Sequence, residues 1–168
     1  MPKIPFSELP DEARIWVFGA SRAIAGVEAE HLVAGVETFI QSWLAHGQAV
    51  VGAFEWRYDR LLIVGADEAA TGVSGCSIDA LYRTLKAAEG QLRVSLLDSS
   101  LILYRDAAGN VQAVPRPEFR RLIANGDIGP ETTVFDNTVA TAGALRNGEW
   151  ERPLHESWHG RAFLAAHR

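Results

Sequence analysis

Apolar and polar positions along this chain fall into runs whose spacing predicts strands and helices. Residues 14–19 form an apolar run ended by glycine, which is typical of a strand. From residue 27 to 45 the apolar residues recur every three or four positions, which predicts a long helix closed by Gly47. Two further apolar runs, 49–57 and 60–66, flank a short polar break and predict a hairpin.

The pattern then predicts a second helix and further strands. Apolar residues at helical spacing over 77–89 predict a helix that stops at Gly90, and residues 92–97 and 100–105 are expected to be extended. The resulting order of strand, helix, strand, strand, helix and strand is that of the ferredoxin-like split β-α-β arrangement. We therefore predict an α+β protein with a ferredoxin-like βαββαβ core.

The remaining residues predict a smaller unit. A turn leads into an extended segment at 111–115, and a short helix over 117–125 and a strand over 132–135 follow. The predicted organisation is a core over residues 1–106 and a small C-terminal extension, residues 107–168, packed on that core.

Composition narrows the classes of function. Of the 168 residues 48% are hydrophobic and 22% are charged, which is enough apolar surface for a packed core. A net charge of −5 argues against a nucleic-acid-binding protein. The chain has no apolar run of about 20 residues and no secretory signal at its start, so no membrane partner is predicted. A single cysteine cannot form an internal disulfide, which predicts a cytoplasmic location.

That cysteine, Cys76, lies where the second long helix is predicted to begin. Backbone N–H groups at a helix N-terminus favour the thiolate form. A nucleophilic thiol also needs a base, for which His46 and His159 are the candidates, and Asp79 could orient a partner. With the N–H groups of 77–79 stabilising an oxyanion, this pattern is that of a thiol-dependent hydrolase or acyltransferase.

The other interpretation of the same segment is structural. Ser74 or Ser77 would cap the helix, and Cys76 would be a small buried hydrophobic residue. Under this interpretation the chain is a non-enzymatic binding or protein-interaction module for an unknown protein or small-molecule ligand. Trp150 and Trp158 either pack the C-terminal part onto the core or contact that partner. A homodimer is left open.

Other motifs predict no cofactor and no metal. Residues 18–22 look like the phosphate-binding turn of short-chain dehydrogenases, but Ala23 and Ala25 stand where further glycines are needed. Arg22 from this turn and Glu55 from the hairpin remain candidate binding residues. No Gly-x-x-x-x-Gly-Lys-Ser/Thr loop occurs, which excludes a P-loop ATPase.

Several short blocks together resemble a family of small uncharacterised bacterial proteins. The matching blocks are Leu9-Pro10 with Arg14-Ile15-Trp16-Val17, Trp43-x-Ala45-His46-Gly47, Phe54-Glu55, Gly75-Cys76-Ser77-Ile78-Asp79, Val134-Phe135-Asp136-Asn137 and Ser157-Trp158-His159. Members are often labelled "ABC transporter ATPase", which the missing phosphate loop contradicts. The resemblance implies no established activity, cofactor or partner.

A second resemblance covers residues 101–154. The run Phe119-x-x-Leu122-Ile123-Ala124-Asn125-Gly126-x-Ile128-x-x-x-Thr132-x-Val134, with Trp150 later, is similar to GYF-like modules. These small domains bind protein segments, so the resemblance implies a protein-interaction role for the C-terminal part.

Overall fold

The structure, a computed structural model, describes residues 3–164. Helices and strands are mixed along the chain rather than separated into two halves. In chain order they are β1 (Arg14–Gly19), α1 (Gly26–Gln41), β2 (Leu44–Ala45), β3 (Gln48–Ala49), β4 (Gly52–Arg57), β5 (Leu61–Ala66), α2 (Gly75–Leu92), β6 (Ile102–Arg105), β7 (Val111–Val114), α3 (Arg116–Ala124), β8 (Thr133–Phe135), α4 (Ala142–Arg146), β9 (Glu151–Pro153) and α5 (Trp158–Phe163).

The first sheet is antiparallel, with β5 between β1 and β4. Every residue of β5 is buried, because both faces of this strand are covered. Leu62 and Val64 join a core cluster with residues of α1 and α2. Leu61 and Ile63 pack on the opposite face against the N-terminal segment and the second sheet. Burial on both faces explains why the sequence of β5 is continuously apolar instead of alternating.

The hairpin predicted for residues 49–66 is present. β4 and β5 pair along their whole length. Tyr58 and Asp59 turn the chain between them with φ angles of 59° and 54°. Positive φ at both central residues suits the twist of a tight hairpin.

The second sheet is also antiparallel and has the order β7, β6, β8 and β9. Ile102 and Tyr104 of β6 belong to a buried cluster that includes Phe119 of α3 and Phe163 of α5. Leu103, on the other face of β6, belongs to the cluster shared with the first sheet. The second sheet therefore lies between the short C-terminal helices and the first sheet.

The predicted α+β class is confirmed, but the strand order differs from that of a ferredoxin-like sheet. In a ferredoxin-like sheet the strand after the second helix lies beside the first strand. Here that strand is β6, which belongs to the second sheet. The outer edge of β1 instead receives residues 140–141, where the N–H of Ile15 donates to the carbonyl of Ala140 at 2.9 Å. This contact covers the start of β1, and the first sheet has three strands.

The first long helix ends earlier than the sequence predicts. α1 stops at Gln41, and residues 44–49 form the short ribbon of β2 and β3. His46 and Gly47 turn this ribbon with φ angles of 52° and 78°, so the prediction that Gly47 closes a helix is wrong. Leaving the helix lets Trp43 bury its ring and donate its indole N–H to the carbonyl of Ser77 at 2.8 Å.

The second long helix ends later than predicted, and the strand expected after it is a loop. α2 continues past Gly90 and ends at Leu92. Arg93 caps it in the left-handed conformation, with a φ of 52°. The carboxylate of Glu89 accepts the N–H groups of Leu96 and Leu97 at 2.7 and 3.0 Å. A side chain thus satisfies backbone donors that a strand would have paired in a ladder.

The predicted division of the chain at residue 106 falls in the turn between β6 and β7, which pair with each other. One hydrophobic cluster contains residues from both sides of that position, among them Ile15 and Trp150. The division into two units stays a prediction. Within residues 3–164, no helix is both long enough and apolar enough to cross a membrane.

Candidate functional site

A cleft of about 160 Å³ opens where the first sheet, the loop after α2 and the C-terminal part meet. Its walls come from parts of the chain far apart in sequence. They are residues 17–19 of β1, Tyr82 of α2, the loop residues 96–99 and 101, Leu103 of β6, and the C-terminal residues Phe135, Asn137, Thr138, Trp158 and His159.

His159 is the most unusual residue of this cleft. It is only 3% exposed, and its ring stacks on Trp158 with 3.9 Å between the ring centres. Among residues 3–164, no group forms a hydrogen bond with His159 Nδ1 or with Trp158 Nε1, although both atoms are buried. Buried polar atoms without partners cost free energy and are uncommon. Three others occur outside the cleft, on Trp56, Arg60 and Arg152, but these two lie on neighbouring residues that both line it.

Two local features position His159 in the first turn of α5. The hydroxyl of Ser157 donates to the carbonyl of Leu154 at 2.9 Å and accepts the N–H of Gly160 at 3.3 Å. Gly160 then lies so close to the carbonyl of Leu154 that a side chain would not fit. The turn before α5 and the start of α5 are therefore held together by the Ser157 hydroxyl and by close packing of their backbones.

Burial lowers the pKa of His159 from its usual 6.5 to about 4. The carboxylate of Asp136 opposes this shift, and the guanidinium of Arg116 adds to it. The imidazole is consequently neutral at pH 7, with one donor and one acceptor nitrogen.

This lowered pKa predicts that the fold loses stability on acidification. Above pH 6.5 His159 is neutral whether the chain is folded or unfolded. As the pH falls towards 4, only the unfolded chain takes up the proton, so unfolding becomes easier by roughly 2 to 3 kcal/mol between pH 7.5 and pH 4.5. Urea unfolding at the two pH values measures the difference in free energy.

The matched controls are His159→Gln, which cannot titrate, and His31→Gln, which removes an exposed histidine of α1. His159→Gln should reduce the difference in unfolding free energy between the two pH values by roughly 2 to 3 kcal/mol. His31→Gln should leave that difference nearly unchanged. Equal pH dependence in wild type and His159→Gln would contradict a buried neutral imidazole.

The predicted thiol site lies elsewhere. Cys76 is exposed in the first turn of α2, in agreement with the expected helix start. Ser74 and Ser77 form a capping box, in which Ser74 Oγ accepts the N–H of Ser77 at 3.1 Å and Ser77 Oγ accepts the N–H of Ser74 at 2.8 Å. The two serines thus act as helix caps, as the structural interpretation predicted. Its prediction that Cys76 is a buried hydrophobic residue is wrong, because the side chain lies on the exposed side of the first turn.

No imidazole is hydrogen-bonded to the thiol among the residues that the structure describes. His46 lies exposed in the turn between β2 and β3, and Asp79 is exposed one turn into α2. His159 lines the cleft, whose walls do not include Cys76. The thiol-dependent mechanism therefore stays a prediction without a paired base.

The other candidate binding residues make structural contacts. Arg22 forms a two-bond ion pair with Glu28 and donates to the carbonyl of Leu92 at 2.6 Å. Glu55 accepts from its strand neighbour Arg57 at 2.5 Å. Trp150 is 2% exposed and donates to Asn137 Oδ1 at 2.9 Å.

Neither a metal site in the described residues nor a known relative supports these candidates. Within residues 3–164, no group of three or more His, Cys, Asp or Glu side chains is arranged to hold a metal ion. Comparison with family models, with curated proteins and with solved structures finds no match to this chain. The two family resemblances therefore stay predictions, and the case for a site depends on its own geometry.

Sequence reasoning selected His159 and Trp158 but missed the rest of the cleft. Phe18 and Tyr82 meet edge to face, with ring centres 5.6 Å apart, although one lies on β1 and the other on α2. Asp98 lies between residues 92–97 and 100–105, the two segments that the apolar pattern predicted to be extended. No local spacing relates these positions, so no sequence signal could have grouped them.

Proposed function

We propose that this is a non-enzymatic binding protein whose cleft receives a ring-sized part of a ligand. The observation that carries the proposal is the pair of buried, unpartnered polar atoms, His159 Nδ1 and Trp158 Nε1, on residues that line an open cleft. A ligand that reached them would supply the hydrogen bonds that the described residues do not.

The volume of the cleft sets the size of that ligand part. Sites for drug-sized molecules occupy roughly 300 to 1,000 Å³, whereas an engineered cavity of about 150 Å³ holds one benzene. About 160 Å³ therefore suits a single ring or a side chain. Such a group can belong to a small molecule or to a segment of a partner protein.

The polar groups of the cleft favour binding over catalysis. A serine or threonine nucleophile needs a base within hydrogen-bond reach. The hydroxyl of Thr138 donates instead to the carboxylate of Asp136 at 2.5 Å. In the part of the chain that the structure describes, no lining hydroxyl is bonded to His159.

We further propose a cytoplasmic location, which the single cysteine supports.

Binding of single-ring compounds, with and without a side chain that blocks the cleft, tests this function. The probes have one ring each and differ in charge: benzylammonium is a cation, benzyl alcohol is neutral and benzoate is an anion. At least one of them should give saturable amide chemical-shift changes at residues 17–19, 96–101 and 135–138 of the ¹⁵N-labelled protein. Ser99→Trp places an indole at the exposed rim of the cleft and should weaken that binding at least about tenfold, because the indole competes for the same space.

Ser7→Trp is the matched control, since Ser7 is an exposed serine outside the cleft. This variant should bind like the wild type. Absence of saturable shifts with all three probes would contradict the proposed function, and so would equal loss of binding in both tryptophan variants.

A further inference from the structure

The cleft carries a single charge among its lining residues, and that charge is negative. Asp98 is exposed at the rim, while the other lining residues are apolar, aromatic or neutral polar side chains. Its Oδ1 atom accepts the hydroxyl and the N–H of Ser100 at 2.5 and 3.0 Å. These bonds lower the pKa of Asp98, so the carboxylate is ionised at neutral pH.

Four aromatic rings share the cleft with this carboxylate. They belong to Phe18, Tyr82, Phe135 and Trp158. The faces of aromatic rings carry partial negative charge and attract organic cations. Trp158 already contacts a cation in this way. The guanidinium of Arg116 lies 5.8 Å from its ring centre, although Arg116 does not line the cleft.

The buried histidine does not oppose a cation. His159 is neutral at pH 7, and no lysine or arginine lines the cleft. Arg83 and Lys86 line a neighbouring groove that shares Tyr82 and Leu97 with the cleft, and Lys86 and Glu89 line a further groove on the outer side of Asp98.

Two charged groups outside the lining act on His159, the guanidinium of Arg116 and the carboxylate of Asp136, and their signs are opposite. Among the lining residues themselves an anion would meet only the carboxylate of Asp98.

We propose that the cleft selects an organic cation, a ligand whose ammonium group faces Asp98 and whose apolar part lies among the four rings. The N–H of Trp158 would be paired by an acceptor elsewhere on the same ligand, because an ammonium group only donates. This inference rests on the proposed binding function and specifies the chemistry of the ligand. Such an ammonium group can be that of a free amine or that of a lysine side chain in a partner protein.

Probes of equal size test the selection by charge. At pH 7, benzylammonium should bind about fivefold more tightly than benzyl alcohol, since a carboxylate at the rim is partly screened by solvent. Benzoate should bind more weakly than either. Asp98→Asn keeps an acceptor for Ser100 and should reduce the preference for the ammonium to less than twofold.

Asp127→Asn is the matched control, because Asp127 is exposed in the loop after α3 and outside the cleft. It should keep the preference. The inference would be overturned if benzyl alcohol or benzoate bound wild type as tightly as benzylammonium, or if Asp98→Asn kept the full preference. Such results would leave the binding function intact, whereas no binding by any probe would overturn both.

Two further probes distinguish the sources of the cation. Butylammonium represents a free amine, and Nα-acetyl-lysine N-methylamide represents a lysine in a protein segment. Tighter binding of butylammonium supports a small-molecule amine, and equal or tighter binding of the lysine derivative supports a partner protein. Failure of both to bind in the cleft would count against the inference.

Discussion

Replacing Gly160 by alanine is expected to destabilise the fold by at least about 3 kcal/mol. A Cβ atom at this position would lie 2.3 Å from the carbonyl oxygen of Leu154 and 3.0 Å from the Cα of His155. Both neighbours are backbone atoms, so no side chain can rotate to relieve the overlap. The turn at 154–156 would have to separate from α5. Urea unfolding followed by far-ultraviolet circular dichroism measures the loss.

Gly90→Ala is the matched control for this substitution. Gly90 lies within α2, and a Cβ there would meet nothing within 4 Å. Because alanine favours a helix interior, Gly90→Ala should raise stability by about 0.5 to 1 kcal/mol. A Gly160→Ala protein as stable as the wild type would show that the backbones do not approach as closely as described.

Trp150→Ala is expected to cost about 3 to 5 kcal/mol, the usual range for removing a large buried aromatic side chain. The Trp150 ring lies 5.2 Å from the ring centre of Phe135 and stacks on Tyr58 at 6.3 Å. Tyr58 turns the β4–β5 hairpin of the first sheet, and Phe135 belongs to β8 of the second. Trp150 thus joins the two sheets, and the same unfolding experiment measures its contribution.

Trp150→Phe separates packing from hydrogen bonding. Phenylalanine keeps most of the aromatic contact but loses the N–H that donates to Asn137, so its cost should be smaller than that of alanine. A loss below about 1 kcal/mol for Trp150→Ala would contradict the packing role. Such a result would favour the other interpretation of Trp150 from the sequence, in which its side chain contacts a partner.

The elements of this fold differ in how well the sequence predicted them. The β4–β5 hairpin was predicted correctly because two apolar runs around a short polar break allow few other structures. The start of α2 was also predicted closely, since Ser74 and Ser77 are typical capping residues. These features depend on residues only a few positions apart.

The predictions that were wrong involve distant contacts. Apolar spacing extended α1 to residue 45, but Trp43 leaves the helix to pack and to donate to Ser77 of α2. Residues 92–97 are apolar enough for a strand, yet the carboxylate of Glu89 holds the N–H groups of Leu96 and Leu97 in a loop. In both segments a tertiary contact decided against the local pattern.

The sequence by itself determined the α+β class and the position of most helices and strands, because helical and extended periodicities are local properties of the chain. Only the tertiary structure decided that β6 belongs to a second sheet, because strand pairing joins segments that no local spacing relates. It also decided the acid–base behaviour of His159, because its pKa falls to about 4 only when the folded chain buries the ring. The cleft exists for the same reason: its walls meet only in the folded chain.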